Sequence, residues 1–473
     1  MNLSEKIKSA NPVYLFVSLF FLFKLHHIHH PYFWDELGVY SRAALYMFDH
    51  QLSMMPNAIP PELSRGHPLL CSVIFAVGYK IFGPHVWAGH LVALLFSCGL
   101  LLALYRLGRD FFGHTVGLLA CALLAAQPVF IAQSSMVLPE IMLAFFCTAS
   151  IHAYLKERLL QTAIFSTLAI MTKETAVALP ASFGLHILLV LMIRQRKIDR
   201  GILYKIGLIS APLLAWGIFL AVQKLQNGWF FFPLHSDYVS FSIADIYPRL
   251  FYYLSFLFKG QGRYLWSAVI IFSAAIFIIR NAGKMKKYSV SQMTEQQSNI
   301  LLLVIYITVS LAVSSLNFHL ARYVLIIMPV IACLVAAQFF YFVQQTKRSA
   351  QWIMMPLLII PFLYYKSKVF NIDADMSYAD IAAAQQEIIA ALNEHAAPDT
   401  AVGAAFPVYH GLLDKRAGYS TFAYKKVVGC GDKEARYVIF SSLDDCRKDS
   451  RGMTLLQERK NAVSMTQLYK RNN

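Results

Sequence analysis

Several short segments of the chain set acidic and basic side chains directly beside long apolar runs. Phe33-Trp34-Asp35-Glu36 is followed by Tyr40 and by Arg65-Gly66-His67-Pro68; Leu138-Pro139-Glu140 and Met171-Thr172-Lys173-Glu174 each open an apolar run, and His319-Leu320-Ala321-Arg322-Tyr323 opens another. Charge next to an apolar span is costly, so each of these groups asks for a reason. Asp35, Glu36 and Glu140 offer carboxylates that can take a proton from an attacking hydroxyl. Lys173, Arg322, Arg65 and His67 offer positive charge that can stabilise a departing phosphate. Tyr40, Tyr323 and Glu174 stand in the same segments. Singly, each has a plainer reading: a loop acid, a helix N-terminal acid favoured by the dipole, or a snorkelling cation. Their convergence on one face of the membrane favours chemistry. His26, His27, His29 and His30 resemble a metal cluster, but their place at a membrane boundary makes them interfacial histidines in this reading.

The elements that must hold these groups are membrane helices. Of the 473 residues, 57% are hydrophobic and 14% charged, against about 25% charged in soluble domains. Thr115–Ala132, Thr175–Ile193, Asn299–Leu316 and Tyr323–Val343 contain no Asp, Glu, Lys or Arg, and roughly 17–25 apolar residues suffice to cross a bilayer. The net charge of +16 does not mark a nucleic-acid binder. Its basic residues gather in short segments between spans, including Arg106 and Arg109, Lys156 and Arg158, Arg194 to Arg200, Arg280 to Lys287, and Lys347 with Arg348. That is the positive-inside pattern.

Window reading gives about eleven spans, near 12–28, 86–105, 114–132, 139–155, 159–172, 175–193, 206–222, 264–280, 299–316, 322–343 and 352–366. With Lys6 and Lys8 inside, every basic segment falls inside and the C-terminal hundred residues outside. His67–Phe82 then reads as a helix lying at the outer interface, and Leu250–Phe258 likewise. A membrane domain over 1–366, with a long first outer loop at 29–85, precedes a small α/β unit over 367–473. In that unit 378–395 reads as helix, and 401–408 and 437–441 as strands. Cys430 and Cys446 lie there, and an extracytoplasmic location would permit a disulfide between them.

The order and spacing of Trp34-Asp35-Glu36, Gly66-His67-Pro68, Leu138-Pro139-Glu140, Met171-Thr172-Lys173-Glu174, Arg106-Leu107-Gly108-Arg109-Asp110-Phe111-Phe112-Gly113 and Ala321-Arg322-Tyr323 resemble the GT-C glycosyltransferases. Within them the chain is similar to the protein O-mannosyltransferase-like group and the lipid A aminoarabinose transferases. The resemblance spans roughly 12–366. It implies an all-α polytopic fold with a small extracytoplasmic domain, and an inverting transfer from a polyprenyl-phosphate sugar to a lipid or protein acceptor. Asp35 would be the catalytic carboxylate, Glu140 the second acidic position, and Lys173 and Arg322 would face the carrier phosphate. A divalent metal held by the carboxylates is used by some members and not by others. His67 stands where the aminoarabinose transferases have Lys, a departure that weakens the resemblance to their particular substrate, and Glu174 stands where they have Gly. A monomer in a bacterial inner membrane, N-terminus cytoplasmic and C-terminal domain periplasmic, completes the expectation. The alternative is a transporter or a flippase of lipid-linked sugars; the absence of a sequence repeat and of mid-span charge pairs argues against it.

Overall fold

The computed structural model describes all residues except 1–10, 196, 282–292, 347–350, 370, 445, 447–449 and 473. Lys6, Lys8, Arg196, Lys284, Lys286, Lys287, Lys347 and Arg348, part of the basic pattern above, lie outside the described residues. Local chemistry sets most helix ends. Helix α1 (Pro12–Leu25) starts where Pro12 needs no N–H partner and the Asn11 side chain accepts from Val13 N at 3.2 Å. Helices α2 (Ser41–Asp49) and α3 (Leu70–Phe82) belong to the first loop region, and α3 coincides with most of the expected interfacial helix.

Helices α4 (Val86–Phe112) and α5 (His114–Ala125) cross closely. A Cβ on Gly108 would come within 2.6 Å of Gly117 Cα, so only small residues allow this approach. Helices α6 (Pro139–Leu155), α7 (Leu159–Thr172) and α8 (Ala178–Ile193) follow, then α9 (Arg200–Asn227), α10 (Ile243–Phe258), α11 (Tyr264–Asn281), α12 (Glu295–Ser315), α13 (Met328–Thr346) and α14 (Gln351–Phe362). Among the described residues five helices are long and apolar enough to cross a membrane, and six shorter apolar helices accompany them.

Two expected spans are interrupted. The 114–132 run breaks after Ala125, because Pro128 starts a separate short helix, Pro128–Gln133, and leaves Gln127 extended. The 322–343 run opens with a 3-10 turn, Ala321–Ile326, before α13 begins at Met328. Both irregular pieces lie at the end of the bundle that carries the site.

At that end sits the C-terminal unit. Its helix α15 (Ser377–His395) agrees with the expected helix, and β3 (Tyr437–Ser441) with the expected strand. The 401–408 stretch is mostly not strand: only β1 (Val402–Gly403) pairs, and Val408 begins a helical turn. Strands β2 (Val427–Val428), β4 (Met453–Lys460) and β5 (Met465–Arg471) complete a sheet of order β2-β1-β3-β5-β4. β1 runs parallel to β2 and β3, whereas β5 is antiparallel to β3 and β4. Cys430 and Cys446 are joined as a disulfide.

Candidate active site

Four separate breaks in helix geometry bring the charged groups together. After α1 the chain turns through a left-handed Trp34 (φ 51°) into a π-helical turn, Glu36–Tyr40, that presents Asp35 at its start. Non-glycine residues rarely hold positive φ, and π-turns gather at functional sites. Glu140 stands in the first turn of α6, just after Pro139. Lys173 occupies the extended residue between α7 and a short 3-10 turn, Glu174–Val177. Arg322 lies in the 3-10 turn ahead of α13.

The result is a buried charge network. Arg322 ion-pairs with Asp35 through Nη2 and with Asp373 through Nη1. Its Nε lies 3.5 Å from Glu140 Oε1, and Lys173 Nζ donates to the same oxygen at 2.9 Å. Lys173 Nζ also stands 4.1 Å from the centre of the Tyr323 ring. Two cations thus face three carboxylates. Charge buried this deeply persists only when paired, and removing one member strands the others. Burial pushes the Asp35 carboxyl up, but Arg322, with Arg65 and Lys173 beyond it, holds it below the usual range and keeps it ionised. Burial lifts Asp373 to about 6; Arg322 pulls against that rise, and Asp35 and Glu140 add to it.

Asp35, Glu140, Lys173, Arg322, Tyr40 and Tyr323 line one cavity together with Arg65, His67 and Glu174. His67 Nδ1 meets Glu174 Oε2 at 2.8 Å. Arg65 has no ion-pair partner among the described residues, which leaves its charge available to an anion. At Arg65, His67, Glu174 and His235 this polar cavity continues into a second, apolar one of about 460 Å³, walled by Trp216, Leu220, Phe231, Phe232, Val239 and Phe241.

Glu36 does not take the place expected for it beside Asp35. It is fully buried and turned away from the cavity. Its Oε1 accepts from Val137 N at 2.6 Å and lies 2.8 Å from His90 Nε2, while Oε2 accepts from Phe33 N at 3.1 Å. Because His90 Nδ1 faces the Ile28 carbonyl at 2.9 Å, it must carry a proton, and the pair clamps the Asp35 turn to the bundle. The interfacial histidines do not form a ligand set: His27 bonds Tyr365 at 2.8 Å, and no three metal-ligating side chains come together among the described residues. Asp35, Glu140 and Glu174 each face a Lys, Arg or His side chain instead, which does not fit a divalent ion.

The sequence reading missed Asp373 and His235. Asn371-Ile372-Asp373-Ala374-Asp375 follows the last apolar helix and looks like any loop, and His235 sits in a turn after α9.

Irregular turns from several helices thus hold acids and bases at one end of the bundle, next to the C-terminal unit. Residues 66–231 match the family model described as dolichyl-phosphate-mannose-protein mannosyltransferase. That match covers less than half of the chain. Its fold is similar to that of ArnT from Cupriavidus metallidurans bound to undecaprenyl phosphate, with TM-score 0.58, 12% identity, and 96% of this chain and 97% of that one covered. The apo form of the same protein gives TM-score 0.57 at 13% identity, covering 96% and 97%. The apo oligosaccharyltransferase of Archaeoglobus fulgidus gives 0.51 at 10% identity, covering 91% of this chain and 69% of that one. At these identities the likeness is one of fold. No curated protein matches the chain in sequence.

Proposed function

We propose that the protein moves a sugar from a polyprenyl-phosphate carrier to a hydroxyl or amine of a lipid or protein acceptor, on the outer face of the membrane and with inversion. One observation carries this reading: the charged cavity and the apolar groove meet at Arg65, His67, Glu174 and His235. A ligand that fills both must be anionic at one end and hydrocarbon at the other. The undecaprenyl phosphate bound by ArnT has that form and supports the choice of carrier.

In the proposed reaction Asp35 accepts the proton of the acceptor nucleophile. The nucleophile's electron pair forms the new bond at the anomeric carbon, from the face opposite the phosphate. The anomeric C–O bond breaks and its electron pair leaves on a phosphate oxygen. Arg65, Lys173 and Arg322 stabilise that charge, in a setting where charge-assisted contacts are stronger than in water. Tyr40 and Tyr323 wall the sugar position. The unit over 367–473 is read as periplasmic, the N-terminus as cytoplasmic, and the protein as a monomer of a bacterial inner membrane. Mass spectrometry of lipids and glycoproteins from cells with wild-type protein and with Asp35→Asn tests the reading. A sugar-bearing product that disappears with Asp35→Asn is expected; identical profiles would overturn it.

A further inference from the structure

Asp373 lies outside the cavity, behind Arg322, on the stretch that joins the last apolar helix to the C-terminal unit. That stretch is fastened to the bundle at two points. Gln133 Nε2 donates to the Asp373 carbonyl at 2.9 Å, and Gln261 Nε2 to the Ala374 carbonyl at 2.8 Å. Within the stretch itself Asp375 accepts from Ser377 N at 2.9 Å, and Met376 N donates to the Tyr365 carbonyl at 2.9 Å. The Asp373 carboxylate therefore has little freedom, and it takes one terminal nitrogen of Arg322 while Asp35 takes the other. On the far side of the Asp35 turn the same C-terminal unit makes a second contact. Phe406 packs edge-on against Trp34 with ring centres 5.0 Å apart, and a Cβ on Gly38 would meet it at 2.7 Å.

We propose that Asp373 is a positioning residue: by holding Arg322 it orients Asp35, and it makes the C-terminal unit a working part of the active site. The guanidinium is planar with its donors in a fixed fork, so fixing one edge fixes the direction of the other. Without Asp373, Arg322 is free to turn toward Glu140, 3.5 Å from its Nε, and to release Asp35. The role of Asp35 as base rests on the function proposed above; the positional coupling does not.

Hydrogen exchange of the 33–40 segment, in purified full-length protein in lipid nanodiscs, tests the coupling without any substrate. Asp373→Asn should speed exchange there about tenfold or more, since a buried pair is broken and a local opening becomes easier. Asp373→Glu keeps the charge and should return exchange toward wild type. Asp380→Asn, which breaks only the exposed pair with Lys366, should leave the segment unchanged. In an Arg322→Ala background, Asp373→Asn should add nothing. Turnover, followed by the product that depends on Asp35, should fall with Asp373→Asn and recover with Asp373→Glu. Unchanged exchange at 33–40, or an equal effect with and without Arg322, would overturn the proposal. Changed exchange in a protein with no Asp35-dependent product would uphold the coupling and reject glycosyl transfer instead.

Discussion

Arg322 donates to Asp35 across 287 positions of sequence, joining the turn after the first membrane helix to the turn before α13. The carboxylate is thereby ionised, aimed and partly neutralised at once. Asp35→Asn keeps the size and the contact but removes the base. Turnover of the purified enzyme should fall by about 10²-fold or more. Near-normal turnover would take Asp35 out of the mechanism and leave Glu140 as the carboxylate to test.

Lys173 and Arg322 share Glu140, so their replacements should not add. Each Ala variant should weaken use of the lipid-phosphate donor more than use of the acceptor. The double variant should cost less than the sum of the singles, because both act on one carboxylate and one phosphate. Lys173→Ala should also lower thermal stability, by roughly 3–5 kcal/mol, as Glu140 loses its hydrogen-bonded partner in a buried site. Additive kinetics, or an unchanged melting temperature, would make these two residues interfacial cations with no shared task.

Arg65 stands where the polar cavity meets the apolar groove and has no carboxylate of its own among the described residues. Arg65→Ala should weaken undecaprenyl phosphate binding about tenfold, measured by titration of the lipid into detergent-solubilised protein. Affinity equal to wild type would move the phosphate deeper, onto Lys173.

Activity should show an acid limb near pH 6. Burial lifts Asp373 to about 6, so below that pH it takes up a proton and its pairing with Arg322 weakens; above it the pair is intact. Arg322, Asp35, Glu140, Tyr252 and Tyr378 are the charged and titratable groups around it. Asp373→Asn should remove that limb and leave a lower, flatter profile. A limb that survives the substitution belongs to another group.

The orientation proposed here puts the active face and the C-terminal unit outside. A cysteine at Ser442 should react with a membrane-impermeant thiol reagent in cells whose outer membrane is permeabilised. Protection of that cysteine, with labelling only after lysis, would reverse the topology.

Membrane character, most helix positions and the segments that meet at the site were legible in the sequence, because each is written locally. Apolar runs encode spans, and prolines at 12, 128 and 139 mark where helices begin. Lys173 and Arg322 stand out because a cation beside an apolar run is costly wherever that run folds. What the side chains face is not local. Asp35 and Glu36 are neighbours, yet the turn sends one into the cavity and the other onto His90 and Val137, since successive residues on a helical turn point in different directions. Asp373 carries no sequence signal at all. It becomes part of the site only because Gln133 and Gln261 fasten its backbone beside Arg322, and only the packing of the C-terminal unit on the helix bundle brings those residues together.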